Sequence, residues 1–401
     1  MKKLKKASLM ITLLIFIAVL AVLVLSHEFG HFIVARLSGM KVEEFGFGFP
    51  PRLCGVRRRL DGKRQIIWGN KNVVAAENEA AAGFGTIYSF NWLPLGGFVK
   101  IKGEDGAGMH DSDSFSAKRW WQQSLVLAAG VVMNIVVAII LTSVGFGIGL
   151  PQSVDTWNDV SVIADRHIEI MDVLPGKPAA LAGLEANDQI VSVGTLNNPR
   201  LHELQNFVDQ HKNEPLAVVV KRGDSTITKT ITPLLNTETG KGGIGVSIVE
   251  VGTVRYPWYR AIAEGTRTTF DSLKQIFIGF GLLIKGLFTG HGVGGEVSGP
   301  VGVAVMTGQV ARMGFVYLLQ FVVLLSLNLA VLNILPIPAL DGGRLLFVLV
   351  RRLVRRSEAF KYEQAIHAIG FVLLIVLVIA VTLKDVAPFL SGLGNVIRKA
   401  I

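Results

Sequence analysis

Two histidines and an adjacent glutamate occur at His27, Glu28 and His31. Residues i and i+4 lie on one face of a helix, so both imidazoles can bind a single metal ion. Zinc accepts neutral imidazole and needs a third protein ligand, with a fourth position left open to water. Glu28 would lie beside the metal, where its carboxylate can take a proton from a water molecule. This H-E-x-x-H spacing predicts one zinc ion held by the two histidines, with Glu28 as the catalytic base.

The third zinc ligand is expected at Asp341, far along the chain. It follows Pro336 and Pro338 and precedes Gly342 and Gly343. The prolines cannot lie in an unbroken helix, so they open the backbone locally, and the glycines allow a tight turn. Asp341 could instead cap the helix that follows. We predict that it is a ligand, because ionisable residues at membrane depth are usually functional.

Helices that cross a membrane must position these residues. Half of the 401 residues are hydrophobic and 17% are charged, whereas soluble proteins carry about 25% charged residues. A spanning helix needs about 20 mostly apolar residues. Four segments qualify or come close: 9–25, 124–150, 313–340 and 365–383. A further apolar segment, 270–290, is interrupted by charges and predicts an amphipathic helix in the membrane interface.

Basic residues predict the orientation of the chain. The formal net charge is +10, which in a membrane protein indicates cytoplasmic loops, so we expect no nucleic-acid partner. Lys and Arg are concentrated in residues 41–64 and 344–361, which lie on one side if four helices cross. Lysines within residues 2–6 favour the opposite orientation. Because two basic loops outweigh one tail, we expect the zinc site to face the cytoplasm.

The composition changes in the middle of the chain. Between about 155 and 252 the long apolar runs end, and short β-type runs alternate with turn signals. This length suffices for one small α+β domain. We therefore expect four regions. They are the N-terminal half of a membrane core (1–150), the inserted domain (155–252), an interfacial helix with linker (255–310) and the C-terminal half of the core (311–401).

H-E-x-x-H in the first span and N-x-x-P-x-P-x-L-D-G from Asn333 onwards resemble the site-2 protease family of intramembrane zinc metalloproteases. The closest branch is the regulator-of-sigma-E protease type. Further segments match that family in order: Phe45–Pro50, Leu95–Lys100, Ala129-Gly130 with Asn134, and Ser298–Gly302.

Carried over by position, the resemblance implies roles for five residues. His27, His31 and Asp341 would be the zinc ligands and Glu28 the general base. Asn333 would contact the substrate backbone or support the developing oxyanion. Alternatively, Asn333 satisfies carbonyls freed by the prolines that follow.

An alternating aromatic pattern predicts the element that holds the substrate. Tyr88, Phe90 and Trp92 recur with a period of two, which predicts a strand with one aromatic face. A turn near Pro94 would lead into a second strand at 98–102. We therefore expect a β-hairpin in this region.

The resemblance implies that this hairpin is membrane re-entrant and that its edge pairs with an extended substrate. The resemblance therefore implies substrate contacts from Gly96, Gly97 and Phe98. The alternative is an ordinary cytoplasmic hairpin without substrate contact. Residues 60–85 match no element of the family.

The inserted domain carries a second resemblance. Residues 173–184 and 187–191 are similar to the bacterial PDZ pattern of a short helix, a Gly-Leu turn and an inward-facing strand. PDZ domains bind extended peptides or C-termini by strand addition. Only one copy is visible. The domain would act as a gate for substrates whose ectodomain has been trimmed, or else as a packing module.

Together these patterns predict a mainly α-helical polytopic membrane protein with about four transmembrane helices, a membrane-associated β-hairpin and one inserted α+β PDZ-like domain. The resemblance implies a zinc metalloendopeptidase of the bacterial inner membrane, embedded in lipid. Its substrates would be single-span membrane proteins, such as anti-sigma factors or signal-peptide remnants. Its zinc site would face the cytoplasm, and its PDZ-like domain would be extracytoplasmic.

Two other classes of function are alternatives. A membrane scaffold could hold partners through the PDZ-like domain, but it would have no need of Glu28 as a base. A metal transporter could also use intramembrane His and Asp residues. It would need more polar residues in the second and fourth spans than these contain.

Overall fold

A computed structural model describes residues 2–59, 61–69, 85–104, 110–154, 163–223, 225–235, 240–289, 298–354 and 359–400. Of the unmatched segment 60–85, residues 60 and 70–84 lie outside this description. The chain divides into two compact units. The first comprises Met1–Thr142 and Gly265–Ile401, and the second comprises Ser143–Glu264. The four region boundaries expected from the sequence stay predictions.

The described helices, in chain order, are α1 (Lys2–Leu37), α2 (Trp120–Ile148), α3 (Pro178–Leu181), α4 (Leu201–Gln210), α5 (Trp258–Thr289), α6 (Pro300–Met313), α7 (Phe315–Ile334), α8 (Asp341–Val354) and α9 (Ala359–Ala400). The strands are β1 (Val42–Arg58), β2 (Arg64–Trp68), β3 (Ile87–Ile101), β4 (Leu150–Ser153), β5 (Ile163–Val173), β6 (Gln189–Val193), β7 (Leu196–Asn197), β8 (Leu216–Arg222), β9 (Ser225–Ile231), β10 (Leu234–Leu235), β11 (Gly242–Gly243) and β12 (Val246–Val254).

Four helices are long and apolar enough to cross a membrane, as the sequence predicts. Within the described ranges they are Met10–Leu37, Trp120–Ile148, Phe315–Ile334 and Glu363–Ala387. The third ends earlier than the predicted limit at residue 340. Pro336 and Pro338 explain the difference, because neither can continue the backbone hydrogen bonds of α7. The backbone is therefore irregular over residues 335–340 before α8 begins at Asp341. We call these residues the ligand loop, because they precede the predicted ligand Asp341.

A three-stranded sheet in the order β2-β1-β3 belongs to the first unit. β1 lies between the two arms of β3, so that Phe45 pairs with both Val99 and Tyr88. This differs from the expected direct pairing of one arm with the other. Gly46 lets the arms close around β1, since a Cβ there would lie 2.8 Å from Ser89 Oγ.

The aromatic pattern of β3 matches its burial. Tyr88, Phe90 and Trp92 are exposed, while Ser89 and Asn91 between them are buried. Asn91 Nδ2 donates a hydrogen bond to the carbonyl oxygen of Gly48 at 2.9 Å. One face of this strand is therefore buried, and the other is aromatic and exposed.

The second unit contains the inserted α+β domain expected from the sequence. Its main sheet has the order β4-β12-β5-β6-β8-β9, with β7 paired to β6. The core is formed by alternating inward-facing residues of these strands and by one face of α4. Its most deeply buried members include Ile168, Ile170, Ile190, Val218 and Val220. The short helix α3 follows β5, as the residue pattern predicts.

Two helices occupy the region expected to be an interfacial helix and linker. α5 begins at Trp258, well before the predicted start at residue 270, and it is not among the four candidate spans. α6 begins with Pro300 at its first position, where a missing N–H costs nothing. The N–H of Gly302 in its first turn donates to Asp385 Oδ2 of α9 at 2.7 Å. Residues 300–313 are therefore helical, although most of them were expected to belong to a linker.

Candidate metal centre

Helix α1 carries His27, Glu28 and His31 without a break in its backbone. Both histidines are 6% exposed. Gly30 lets α2 pack closely against this turn, because a Cβ there would lie 2.8 Å from the carbonyl carbon of Ala129. The regular helix therefore places the two imidazoles side by side in the protein interior.

Asp341, the first residue of α8, meets these histidines. Its Oδ2 lies 2.9 Å from His27 Nε2 and 3.3 Å from His31 Nε2, and the two Nε2 atoms are 3.2 Å apart. Ligands about 2.0–2.1 Å from a tetrahedral zinc ion are separated by about 3.3 Å. The three atoms are thus spaced as a zinc ion would require. Two imidazoles and one carboxylate are also a ligand set found in catalytic zinc sites.

The outer nitrogens of both histidines have partners on α2. His31 Nδ1 lies 2.7 Å from the carbonyl oxygen of Val126, to which it donates. His27 Nδ1 lies 3.3 Å from the amide nitrogen of Asn134, whose Oδ1 is buried and has no hydrogen-bond partner among the described residues. A half-turn of this amide lets Oδ1 accept the Nδ1 proton. Both Nε2 lone pairs are then directed at the centre, as metal-binding histidines require.

Gly130 on α2 leaves the space that the imidazoles fill. A Cβ at this position would lie 2.7 Å from His27 Nε2, and it would also collide with His31. No residue larger than glycine fits there without displacing one of the two histidines. The close approach of α2 is therefore part of the centre.

Glu28 contacts the three-stranded sheet. Its Oε2 accepts a hydrogen bond from the backbone N–H of Val99 at 3.1 Å. Val99 lies on the outer arm of β3, whose other side pairs with β1. An edge strand of the sheet therefore runs directly beside the expected base.

The predicted substrate contacts lie along the same edge. Gly96 has φ +102°, and a Cβ there would lie 2.8 Å from Val24 Cγ1 of α1. A Cβ on Gly97 would lie 3.1 Å from Leu25 Cδ1. Phe98 is half-buried and pairs with β1. The glycines thus allow the strand to approach the helix one turn before His27.

Asn333 lies in the last turn of α7, and its amide nitrogen is 3.4 Å from His27 Nε2. The structure therefore brings together His27, His31, Asp341 and Asn333, with Glu28 immediately beside them. The roles of these residues stay predictions.

Charged groups hold the end of the edge strand. Lys102 Nζ donates to Asp113 Oδ1 at 2.8 Å and pairs with Asp111 at 3.0 Å. The hydrogen bond from Lys102 holds the pKa of Asp113 below its ordinary value, and its two acceptors raise the pKa of Lys102. Arg344 of α8 forms an ion pair with Glu104. The strand beside the base is thereby tied to the helix that begins with Asp341.

Sequence reasoning assigned no role to Val126 or Val99, and it gave Gly130 and Asn134 only a family match. Val126, Gly130 and Asn134 are spaced four residues apart, so they lie on one face of α2. That spacing, in a span otherwise poor in polar residues, is the signal that could have indicated a supporting face. Val99 contributes a backbone N–H, which its residue type does not indicate.

The chain is similar to known proteins over most of its length. The model of peptidase family M50 matches residues 15–67 and 77–377. A Clostridium perfringens protein whose name describes a zinc metalloprotease is 35% identical over 370 residues, which cover 91% of this chain and 95% of that protein. Zinc metalloprotease RasP of Geobacillus kaustophilus is 27% identical over 454 residues, which cover 93% of this chain and 97% of that protein.

Two solved structures from Listeria are also similar. The PDZ domain of an SdrC-like protein of Listeria monocytogenes is 23% identical, with a TM-score of 0.19, covering 20% of this chain and 85% of that one. The second domain of another Listeria protein is 23% identical, with a TM-score of 0.20, covering 22% and 89%.

Proposed function

Because this chain belongs to peptidase family M50, whose members include zinc metalloproteases, we propose that it hydrolyses peptide bonds within or near the transmembrane segments of single-span membrane proteins. It is a multi-pass membrane metalloprotease with zinc as its cofactor. The observation that carries the proposal is the convergence of His27, His31 and Asp341 beside Glu28, in a chain with four apolar helices.

In this proposal each residue of the centre has one task. His27, His31 and Asp341 hold the zinc ion. Bound zinc supplies a Lewis acid that makes a water molecule acidic and polarises a peptide carbonyl. Glu28 accepts the proton of that water and later donates it to the leaving amine. Asn333 donates a hydrogen bond where negative charge develops on the carbonyl oxygen.

The substrate is held as an extended strand along the outer arm of β3. A peptide bond inside a helix is shielded, so an unwound segment must find new hydrogen-bond partners. Gly96, Gly97 and Phe98 lie on an edge that runs past Glu28, which supports strand addition at this position. The register of that added strand would set the bond presented to the base.

The cellular setting follows from the basic loops and the family. We propose a bacterial inner-membrane enzyme with its zinc site towards the cytoplasm and its PDZ-like domain outside it. The substrates are anti-sigma factors or signal-peptide remnants whose ectodomains have been shortened. The PDZ-like domain binds a peptide or C-terminus, or limits the size of the ectodomain that is admitted.

The test is cleavage of a tagged single-span reporter by the full-length chain in detergent. Reporters with an intact and with a truncated extracytoplasmic part are compared, for the wild type and for Glu28→Gln. Zinc content is measured on the same samples. We expect wild type to cleave the truncated reporter, and Glu28→Gln to retain zinc but lose at least about 100-fold in rate, the lower range for a general base.

Three results would contradict the proposal or a part of it. Absence of zinc from both proteins would remove the proposed mechanism and favour a scaffold that binds partners through the PDZ-like domain. Equal cleavage by the wild type and Glu28→Gln would remove Glu28 as the base. Equal cleavage of both reporters would leave the protease and contradict selection by ectodomain size.

A further inference from the structure

The ligand loop, residues 335–340, has a backbone conformation that needs support. Ala339 has φ +76°, in the left-handed region that residues with a Cβ rarely adopt. Such conformations persist when the surrounding structure fixes them. Ala339 lies two residues before Asp341, so its conformation sets the direction in which the carboxylate leaves the backbone.

Helix α9 supplies this support through two residues on one face. His367 Nδ1 accepts a hydrogen bond from the backbone N–H of Ala339 at 2.8 Å. Gly370, three residues further on, packs beneath Pro338, since a Cβ at Gly370 would lie 3.0 Å from the Pro338 carbonyl carbon. The His367 ring also contacts Phe347 of α8, with their centroids 5.4 Å apart. The fourth span therefore contacts the loop on one side and α8 on the other.

The second ring nitrogen of His367, Nε2, lies in an unfavourable environment. Because Nδ1 accepts a hydrogen bond from the N–H of Ala339, the neutral ring carries its own proton on Nε2. That Nε2 is buried and has no hydrogen-bond partner among the described residues. A buried donor without a partner is unfavourable, and an apolar residue would avoid it. Among the described residues, the one hydrogen bond of this ring is to the backbone N–H of Ala339 in the ligand loop.

We propose that His367 is a positioning residue of the metal centre. By accepting the Ala339 N–H, it holds the ligand loop in the conformation that directs Asp341 towards His27 and His31. This inference rests on the proposed function, because it assumes that Asp341 is a zinc ligand. His367 itself neither touches the metal nor takes part in proton transfer.

The experiment compares side chains that differ in where they can accept a hydrogen bond. In His367→Asn, Oδ1 takes the place of Nδ1, whereas in His367→Gln the acceptor lies one bond further out. His367→Leu has no acceptor. Zinc affinity is measured on the full-length proteins in detergent by competition with a chromophoric chelator. The absorption spectrum of the cobalt-substituted proteins reports the geometry of the centre.

We expect His367→Leu and His367→Gln to bind zinc about 10–100-fold more weakly, the range typical of residues that orient a ligand. Their cobalt spectra should differ from that of the wild type. His367→Asn should bind zinc within about 3-fold of the wild type and restore the spectrum, because its acceptor is retained. Even if the leucine variant fails to fold, the Asn and Gln variants carry the comparison.

A matched control comes from the same helix. Asp385 also accepts a backbone hydrogen bond, from Gly302, but it supports α6 rather than the ligand loop. Asp385→Ala should lower the melting temperature and leave zinc affinity and the cobalt spectrum unchanged. A loss of zinc affinity equal to that of His367→Leu would show that any weakening of α9 disturbs the centre, and would overturn the specific role of His367.

Asp341→Ala separates this inference from the proposed function. If Asp341→Ala loses zinc while all three His367 variants keep wild-type affinity, the inference fails and the proposed function stands. If Asp341→Ala keeps wild-type affinity, the ligand assignment fails and the proposed function with it. Equal affinities of the Asn and Gln variants would also overturn the inference, because the position of the acceptor would then not matter.

Discussion

His27 and His31 lie one turn apart on a regular helix, whereas Asp341 follows the irregular backbone of the ligand loop. The helix fixes the two histidines through its own hydrogen bonds, with α2 supplying partners to their outer nitrogens. The ligand loop has a residue at positive φ and depends on a contact from α9. One half of the centre is thus determined locally and the other by tertiary contacts.

This difference indicates where the centre is sensitive. Filling the space around the imidazoles should abolish zinc binding, because the backbone of the helical half cannot shift without breaking the helix. Removing the supports of the loop half should lower the zinc affinity in smaller steps. Substitutions in each half of the centre therefore test whether the two halves differ in this way.

Gly130→Ala should have the largest effect. The new Cβ on α2 would lie 2.7 Å from His27 Nε2, and the backbone of α1 cannot shift locally to relieve this contact. We expect zinc affinity to fall by more than about 100-fold, beyond the usual effect of an outer residue, with cleavage lost in parallel. Gly147→Ala on the same helix is the control, since a Cβ there meets nothing within 4 Å. Full zinc occupancy in Gly130→Ala would contradict the tight fit of α2.

Gly343→Ala tests the loop half. Its Cβ would lie 2.8 Å from the carbonyl carbon of Ile337, so the start of α8 must move. Because the ligand loop can shift with it, we expect a smaller loss of zinc affinity, about 10–100-fold. Chelator competition measures it, with Gly281→Ala of α5 as an open-space control. A loss larger than that of Gly130→Ala would reverse the proposed order of the two halves.

Val99→Pro removes the N–H that donates to Glu28 Oε2. A hydrogen bond to a charged group contributes about 1.5–3 kcal/mol, so kcat should fall by about 10- to 150-fold while zinc content stays unchanged. Val99→Ala keeps the N–H and should retain wild-type kcat. If both variants behave alike, the edge strand does not orient the base through this bond.

The Arg344–Glu104 ion pair should matter least. Arg344 is 40% exposed and Glu104 is 27% exposed, so solvent screens their attraction. A double-mutant cycle of Arg344→Ala and Glu104→Ala should give a coupling below about 1 kcal/mol in the free energy of unfolding. A coupling above about 2 kcal/mol would show that the tie between the edge strand and α8 carries more of the stability than we assign to it.

The spans and the H-E-x-x-H helix could be predicted from the sequence because both depend on local patterns. Apolar length defines a span, and the i, i+4 spacing defines the shared face of His27 and His31. The prolines before Asp341 indicated a break in α7. They could not indicate which helix supports the resulting loop, because the contact between His367 and Ala339 joins residues 28 apart in the chain.

The sheet was predicted less completely for a similar reason. Alternation identified the aromatic arm of β3, but it carried no information on strand order. β1 lies between the two arms of β3 because Gly46 permits close contact with Ser89 and Phe98, a property that appears only once the strands are assembled. The hydrogen bond from Val99 to Glu28 could likewise not be predicted, since nearly every residue has a backbone N–H.

X-ray absorption at the zinc edge of the purified full-length protein tests the central claim most directly. The account predicts one zinc ion per chain with two imidazole nitrogens at about 2.0–2.1 Å and a carboxylate oxygen at about 2.0–2.2 Å. Replacing Asp341 by alanine should remove the carboxylate oxygen or the metal. A sulfur neighbour at about 2.3 Å, or an unchanged spectrum in Asp341→Ala, would contradict the proposed centre.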